Sequence, residues 1–170
     1  MASQPQYTDA AEHSMTLADI LRMLERTRLF AGLSQQQIAG FAGSLEGISF
    51  EAGDELLQKG DESFGLNIVL RGSVEVVLPG LRDAAEVKLG VLHAGDFFGE
   101  YAVFDDQPAS ASVRALRSGD LIRFPKETFR AVLQEEPALT SAIYYNLLHV
   151  LVERLRLTGQ DFEVLMSDNA

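Results

Sequence analysis

The run Phe98-Gly99-Glu100-Tyr101-Ala102, followed by Asp105-Asp106, Pro108 and Ala109-Ser110-Ala111-Ser112, joins residue types that can hold an anion. Removing an anion from water is costly unless donors replace its hydration. Successive backbone N–H groups at a turn, here from Gly99, Glu100, Tyr101 and Ala102, converge into a nest. Gly99 and Ala102 are small enough to let a ligand near that backbone. Ser110, with Ser112 beside it, can add a hydroxyl hydrogen bond. The strongest device, an Arg fork giving charge and two parallel bonds, is absent between Phe98 and Val113.

No catalytic or metal-binding pattern accompanies this run. The histidines His13, His93 and His149 show no ligand spacing, and the chain has no Cys. Asp61-Glu62, Asp105-Asp106 and Glu135-Glu136 read as solvated turns and a helix end. No nucleophile–base arrangement or phosphate-loop motif is visible. A binding module rather than an enzyme is expected, with no catalytic residue and no metal.

The elements that must position this run divide into three parts. Met1–Met15 is polar and reads as a flexible tail, with one domain expected over 16–170. Thr16 with Asp19, and Ser34 with Gln37, are capping boxes for two short helices carrying Leu17, Ile20, Leu21 and Leu24, then Ile38, Phe41 and Leu45. From Ile48 to Pro125 the period is two, with strand runs at 66–70, 73–78, 86–92, 112–116 and 120–124. The pair Gly-Asp recurs at Gly53-Asp54, Gly60-Asp61, Gly95-Asp96 and Gly119-Asp120, and each is expected to mark a tight corner. After Pro125 the helical period returns, in Lys126–Glu135 with Phe129, Val132 and Leu133 on one face, then in a long helix from about 137 to 166. The expected fold is mainly β with flanking helices: an antiparallel, jelly-roll-like β-roll over about 48–125, N-terminal helices and a long C-terminal helix.

Composition narrows the partners. The 170 residues are 46% apolar, with 14 Lys and Arg against 25 Asp and Glu, a net charge of −11. That balance opposes nucleic-acid binding and docking on an anionic membrane. No apolar run has membrane-spanning length, so a cytoplasmic protein is expected.

The order helix, roll, long helix over about residues 28–160, with Leu29-Phe30 and Leu33 ahead of the roll and Gly60-Asp61 and Gly72 within it, resembles the cyclic-nucleotide-binding domain of the catabolite activator (cyclic AMP receptor protein) family. Phe98-Gly99-Glu100 resembles the start of that family's phosphate-binding cassette. The resemblance implies a cyclic nucleotide, cyclic AMP or cyclic GMP, as the ligand. It implies that Glu100 holds the ribose 2′-hydroxyl, while backbone N–H groups, an Arg and a Ser or Thr hold the cyclic phosphate. Ser110 matches the hydroxyl position, but the Arg position reads Ala109. The segment Arg154-Leu155-Arg156-Leu157-Thr158 is similar to the one whose Thr meets the base. The implied ligand set is thus Phe98, Gly99, Glu100, Tyr101, Ala102, Ala109, Ser110, Ala111 and Thr158.

The missing Arg leaves two readings open: a pocket of weak or altered ligand binding, and a ligand-free structural or protein-interaction domain. Arg114, Arg117, Arg154 and Arg156 are the candidates to replace it. Along the last helix, Tyr144, Leu148, Leu151, Leu155, Thr158, Phe162 and Leu165 form a heptad seam beside a second stripe of Ile143, Leu147, Val150 and Leu157. One stripe can pack on the roll and leave the other for a partner helix. In the resembling family the long helix makes a homodimer, so Tyr144, Leu148, Leu151, Leu155 and Phe162 are the expected dimer interface. The family's transcription factors continue into a DNA-binding domain, whereas this chain ends at Ala170, so a stand-alone module is expected.

Overall fold

Both predicted helix starts form by reciprocal capping. Thr16 Oγ1 accepts the Asp19 N–H at 3.2 Å while the Asp19 carboxylate accepts the Thr16 N–H at 3.2 Å. Ser34 and Gln37 repeat the exchange at 3.3 and 3.0 Å. A computed structural model describes residues 16–41, 45–62, 64–80 and 85–167, with the side chains of Leu17, Ala102 and residues 158–167 outside that description. The stretch 1–15, read above as a tail, lies outside it too.

Helix α1 spans Leu17–Arg26, a 3-10 turn Arg28–Phe30 and helix α2 Gln35–Ala39. Strands β1 (Glu46–Phe50), β2 (Glu55–Leu57), β3 (Gly65–Leu78), β4 (Val87–His93) and β5 (Phe97–Phe98) lead to helix α3 (Glu100–Asp105). Strand β6 (Ser112–Pro125) precedes helices α4 (Lys126–Glu135) and α5 (Pro137–Ser167). Helix α2 stops before Phe41 and Leu45, so these two residues are not part of its apolar face as expected; Phe41 is buried from the following turn.

The sheet is antiparallel throughout, as expected for the roll. Its path runs β1-β6-β3-β4, with β2 on the other half of β6 and β5 on β3. Three of the four Gly-Asp pairs make the same corner. In each, the Gly N–H and the Asp C=O clasp one residue of a facing strand or segment: Gly53 and Asp54 clasp Ala115, Gly60 and Asp61 clasp Ala109, Gly95 and Asp96 clasp Val69. The glycines sit at φ 94°, 91° and 91°, where a Cβ is disfavoured.

Gly119-Asp120 behaves differently, and corrects the expectation. The runs at 66–70 and 73–78 form one strand, β3, and those at 112–116 and 120–124 form another, β6. Both strands bend where Gly72 crosses Gly119, and the register shifts there. A Cβ on Gly119 would lie 2.1 Å from the Arg71 carbonyl oxygen. Asp120 turns outward to accept from Arg71 Nε at 2.6 Å and Ser49 Oγ at 2.9 Å.

Two apolar layers result. Phe30, Phe41, Phe124 and Phe129 pack edge to face and tilted between the helices and one face of the sheet. Phe50, Val69, Val74, Phe98, Val113 and Leu121 fill the inside of the roll. Strand alternation sends Phe97 into the first layer and Phe98 into the second, so β5 straddles both just before the turn of interest. Helix α5 buries Leu139, Ile143, Leu147 and Val150, and Asn146 Nδ2 fastens it by donating to the carbonyls of Leu29 and Ala31. Among the described residues no helix is long and apolar enough to cross a membrane.

Candidate functional site

Gly99 turns the chain out of β5 at φ 80°, a left-handed conformation that a side chain would strain, and acts as the N-cap of α3. That turn points Glu100 inward, where it is 5% exposed. The far end of α3 is held by Asp106, which takes φ 57° and accepts from Lys126 Nζ at 3.0 Å and Arg130 Nη1 at 2.9 Å. These hydrogen bonds hold the Asp106 carboxyl below its ordinary range, Arg130 contributing most. Across from α3, residues 109–111 are pinned by the Gly60-Asp61 corner: Ala109 N–H donates to the Asp61 carbonyl at 2.9 Å and Gly60 N–H donates to Ala109 at 2.8 Å.

Between these two segments and the roll lies a cavity of about 290 Å³. Phe98, Gly99, Glu100, Tyr101, Ala109, Ser110 and Ala111 all line it, so the structure gathers most of the sequence-expected set. The side chains of Ala102, Thr158 and Phe162 fall outside the description. Ser112, considered as a second hydroxyl, is buried outside the cavity, and its Oγ accepts the Lys59 N–H at 3.0 Å. Among the described residues the remaining wall, Arg154 apart, is apolar. Leu57, Val76, Leu89, Leu92 and Val113 come from β2, β3, β4 and β6, and Leu157 from α5. Pattern alone did not point to these residues, because alternating apolar strand residues look alike whether they face a core or a cavity.

Of the four Arg candidates, Arg154 lines the cavity. Arg114 pairs with Glu86 at 3.1 Å and Glu75 at 3.7 Å on the other face of β6, while Arg117 and Arg156 are exposed away from the cavity wall. Arg154 is not poised over open space. Its Nη1 donates to Glu100 Oε1 at 2.6 Å and its Nη2 to the Phe97 carbonyl at 2.6 Å, and the guanidinium carbon stands 4.8 Å from the centre of the Phe97 ring. Burial pushes the Glu100 carboxyl above its ordinary range, and the Arg154 charge pulls it back. The pair thus bolts α5 to the β5–α3 turn. Sequence had named Arg154 and Glu100 separately; their meeting depends on the path of α5.

The expected interface seam is partly in view. Leu148 and Leu155 are 60% and 73% exposed, Tyr144 is exposed, and Leu151 is half-buried against the core. The second stripe divides: Ile143, Leu147 and Val150 are buried, whereas Leu157 leaves the core to face the cavity mouth. His93 and His149 are exposed, the latter beside the Tyr145 ring. Among the described residues, no three His, Asp or Glu stand together to hold a metal.

Known proteins share the fold. The model of the cyclic nucleotide-binding domain family matches residues 48–136. The cAMP-dependent protein kinase regulatory subunit of Emericella nidulans is 29% identical over 110 residues, 65% of this chain and 26% of that protein, so the match spans about a quarter of the relative's length. The Thermus thermophilus catabolite activator protein superposes with a TM-score of 0.69 at 24% identity, covering 82% of this chain and 63% of that one, a likeness of fold. The regulatory domain of Toxoplasma gondii PKA, crystallised with cAMP, gives 0.65 at 26% identity, covering 75% and 49%.

Proposed function

Because the chain belongs to the cyclic nucleotide-binding domain family, we propose that it is a non-enzymatic regulatory module with an altered cassette, in which the cavity receives a small molecule and α5 reports its occupancy. One observation carries this reading: Arg154 and Leu157 put α5 into the cavity wall, so a ligand pressing on Glu100 also acts on the helix. The alteration is Ala109. With no guanidinium there, and the Arg154 fork engaged by Glu100, a cyclic phosphate lacks a charged partner among the described residues. The acidic balance of the chain adds an unfavourable field for an anion. The same balance fits a protein that contacts neither nucleic acid nor an anionic membrane.

Calorimetric titration tests the altered cassette. Cyclic AMP and cyclic GMP are expected to bind no tighter than about 10–50 μM. Ala109→Arg is then expected to tighten cyclic AMP by roughly 10- to 150-fold, the worth of a charged bidentate contact. Submicromolar binding to the unaltered chain would overturn the reading.

The exposed seam of Tyr144, Leu148 and Leu155 supports a homodimer through α5, the arrangement that the resemblance implied. Light scattering at micromolar concentration is expected to give a dimer mass, and Leu148→Glu with Leu155→Glu a monomer. A monomeric unaltered protein would remove the dimer from the proposal. The seam equally suits a ligand-free interaction domain. A thermal-shift panel of mono- and dinucleotides that leaves the melting temperature flat would favour that second reading, since a ligand bound only to the native state must raise it.

A further inference from the structure

We infer that the cavity is built for an uncharged, largely apolar ligand carrying a hydroxyl or N–H donor for Glu100, rather than for an anion. The inference rests on the reading of the cavity as a ligand site and names the chemistry of its occupant.

Among the described residues, two charged side chains line the cavity, and they neutralise each other. Arg154 spends its fork on Glu100 and on the Phe97 carbonyl, both at 2.6 Å, and lies against the Phe97 ring. An anion that took this fork would leave the Glu100 carboxylate buried without its partner. Leaving the buried Glu100 charge uncompensated is destabilising even though Arg154 is itself a third exposed. A cation seeking Glu100 would meet Arg154 already in place. Neither charged side chain is therefore available to hold an ion of opposite sign without giving up the other.

The rest of the wall agrees. Leu57, Val76, Leu92, Phe98 and Val113 offer dispersion contacts and no donors, and Ala109 and Ala111 keep the space between them open. Uncharged polarity is available at one side from the exposed Ser110, whose hydroxyl can donate or accept. Glu100 accepts from Arg154 through Oε1, and a carboxylate has acceptor capacity left for a ligand hydroxyl. Leu157, on the last described turn of side chains on α5, gives such a ligand an apolar contact to the helix.

The test compares charge at constant shape in the full chain. N-phenyl-1-naphthylamine, a neutral fluorescent probe, is titrated first, then displaced by cyclic AMP or by its uncharged phosphate methyl ester. The expected result is saturable probe emission, displaced by the ester at a concentration at least tenfold lower than by cyclic AMP. Leu157→Asp, which alters an exposed wall residue, should weaken the probe at least tenfold. Ala111→Phe, with its fold checked by circular dichroism, should do the same by filling space. Cyclic AMP displacing the probe as well as or better than the ester would overturn the inference and leave the cavity a ligand site. No saturable binding of the probe, the ester or cyclic AMP would overturn both this inference and the ligand reading on which it rests.

Discussion

Gly119→Ala is expected to destabilise the fold by about 3 kcal/mol or more, a large share of the margin that holds a domain folded. Gly119 needs no positive φ, so the cost is purely one of space. The added Cβ would lie 2.1 Å from the Arg71 carbonyl oxygen, 2.6 Å from its carbon and 2.9 Å from the Gly72 Cα. These are main-chain atoms and cannot rotate aside. Relief requires β3 and β6 to part where the pairs Arg71–Asp120 and Ser73–Arg117 hold them on either side. Gly95→Ala is the control. It forces a side chain onto φ 91° but meets nothing within 4 Å, so about 1 kcal/mol is expected. Urea unfolding of the two variants with unchanged slopes compares them directly. A Gly119→Ala variant no less stable than Gly95→Ala would mean that the strands do not cross as tightly as described.

That contrast shows where sequence was legible. Capping at Thr16 and Ser34 is decided by atoms within a few residues. The corners at Gly53, Gly60 and Gly95 each close on a local turn bond, from the Asp54, Asp61 and Asp96 N–H to the carbonyls of Glu51, Gln58 and His93, before they clasp a distant residue, so local chemistry names them. Gly119-Asp120 carries the same letters but answers to Arg71 and Gly72, far away in the chain, so reading it as a corner cut one strand into two. The site divides in the same way. The cassette is contiguous, and its members were visible together. Leu89, Leu92 and Leu57 carry no motif, and nothing local to Ser112, the secondary hydroxyl candidate, tells that it accepts the distant Lys59 N–H. Arg154 was one candidate among four because nothing in the helical period tells which residue of α5 meets Glu100.

Arg154→Gln is expected to cost about 2 kcal/mol at neutral pH, less than the 3–5 kcal/mol of a fully buried pair because Arg154 is itself a third exposed. The loss should depend on pH in a defined sense. Burial raises the Glu100 carboxyl above its ordinary value near 4.5, so between that value and the raised one the native state binds more protons than the unfolded chain. Its contribution to stability therefore falls as pH rises through that window. Removing Arg154 removes a charge that lowers the Glu100 pKa, so the variant's window extends further upward and its deficit grows with pH. Below about pH 4.5 the carboxyl is protonated in both states and the electrostatic part of the gap closes. Unfolding titrations of the two proteins from acid to neutral pH read this difference directly, with the many other carboxylates common to both. Adding Glu100→Gln to Arg154→Gln should restore most of the neutral-pH loss, because the uncompensated charge is gone. A gap that stays constant with pH, or a double variant no better than Arg154→Gln alone, would show that Arg154 holds the turn through Phe97 and packing rather than through charge. The latch between α5 and the cavity would then not answer to a ligand at Glu100.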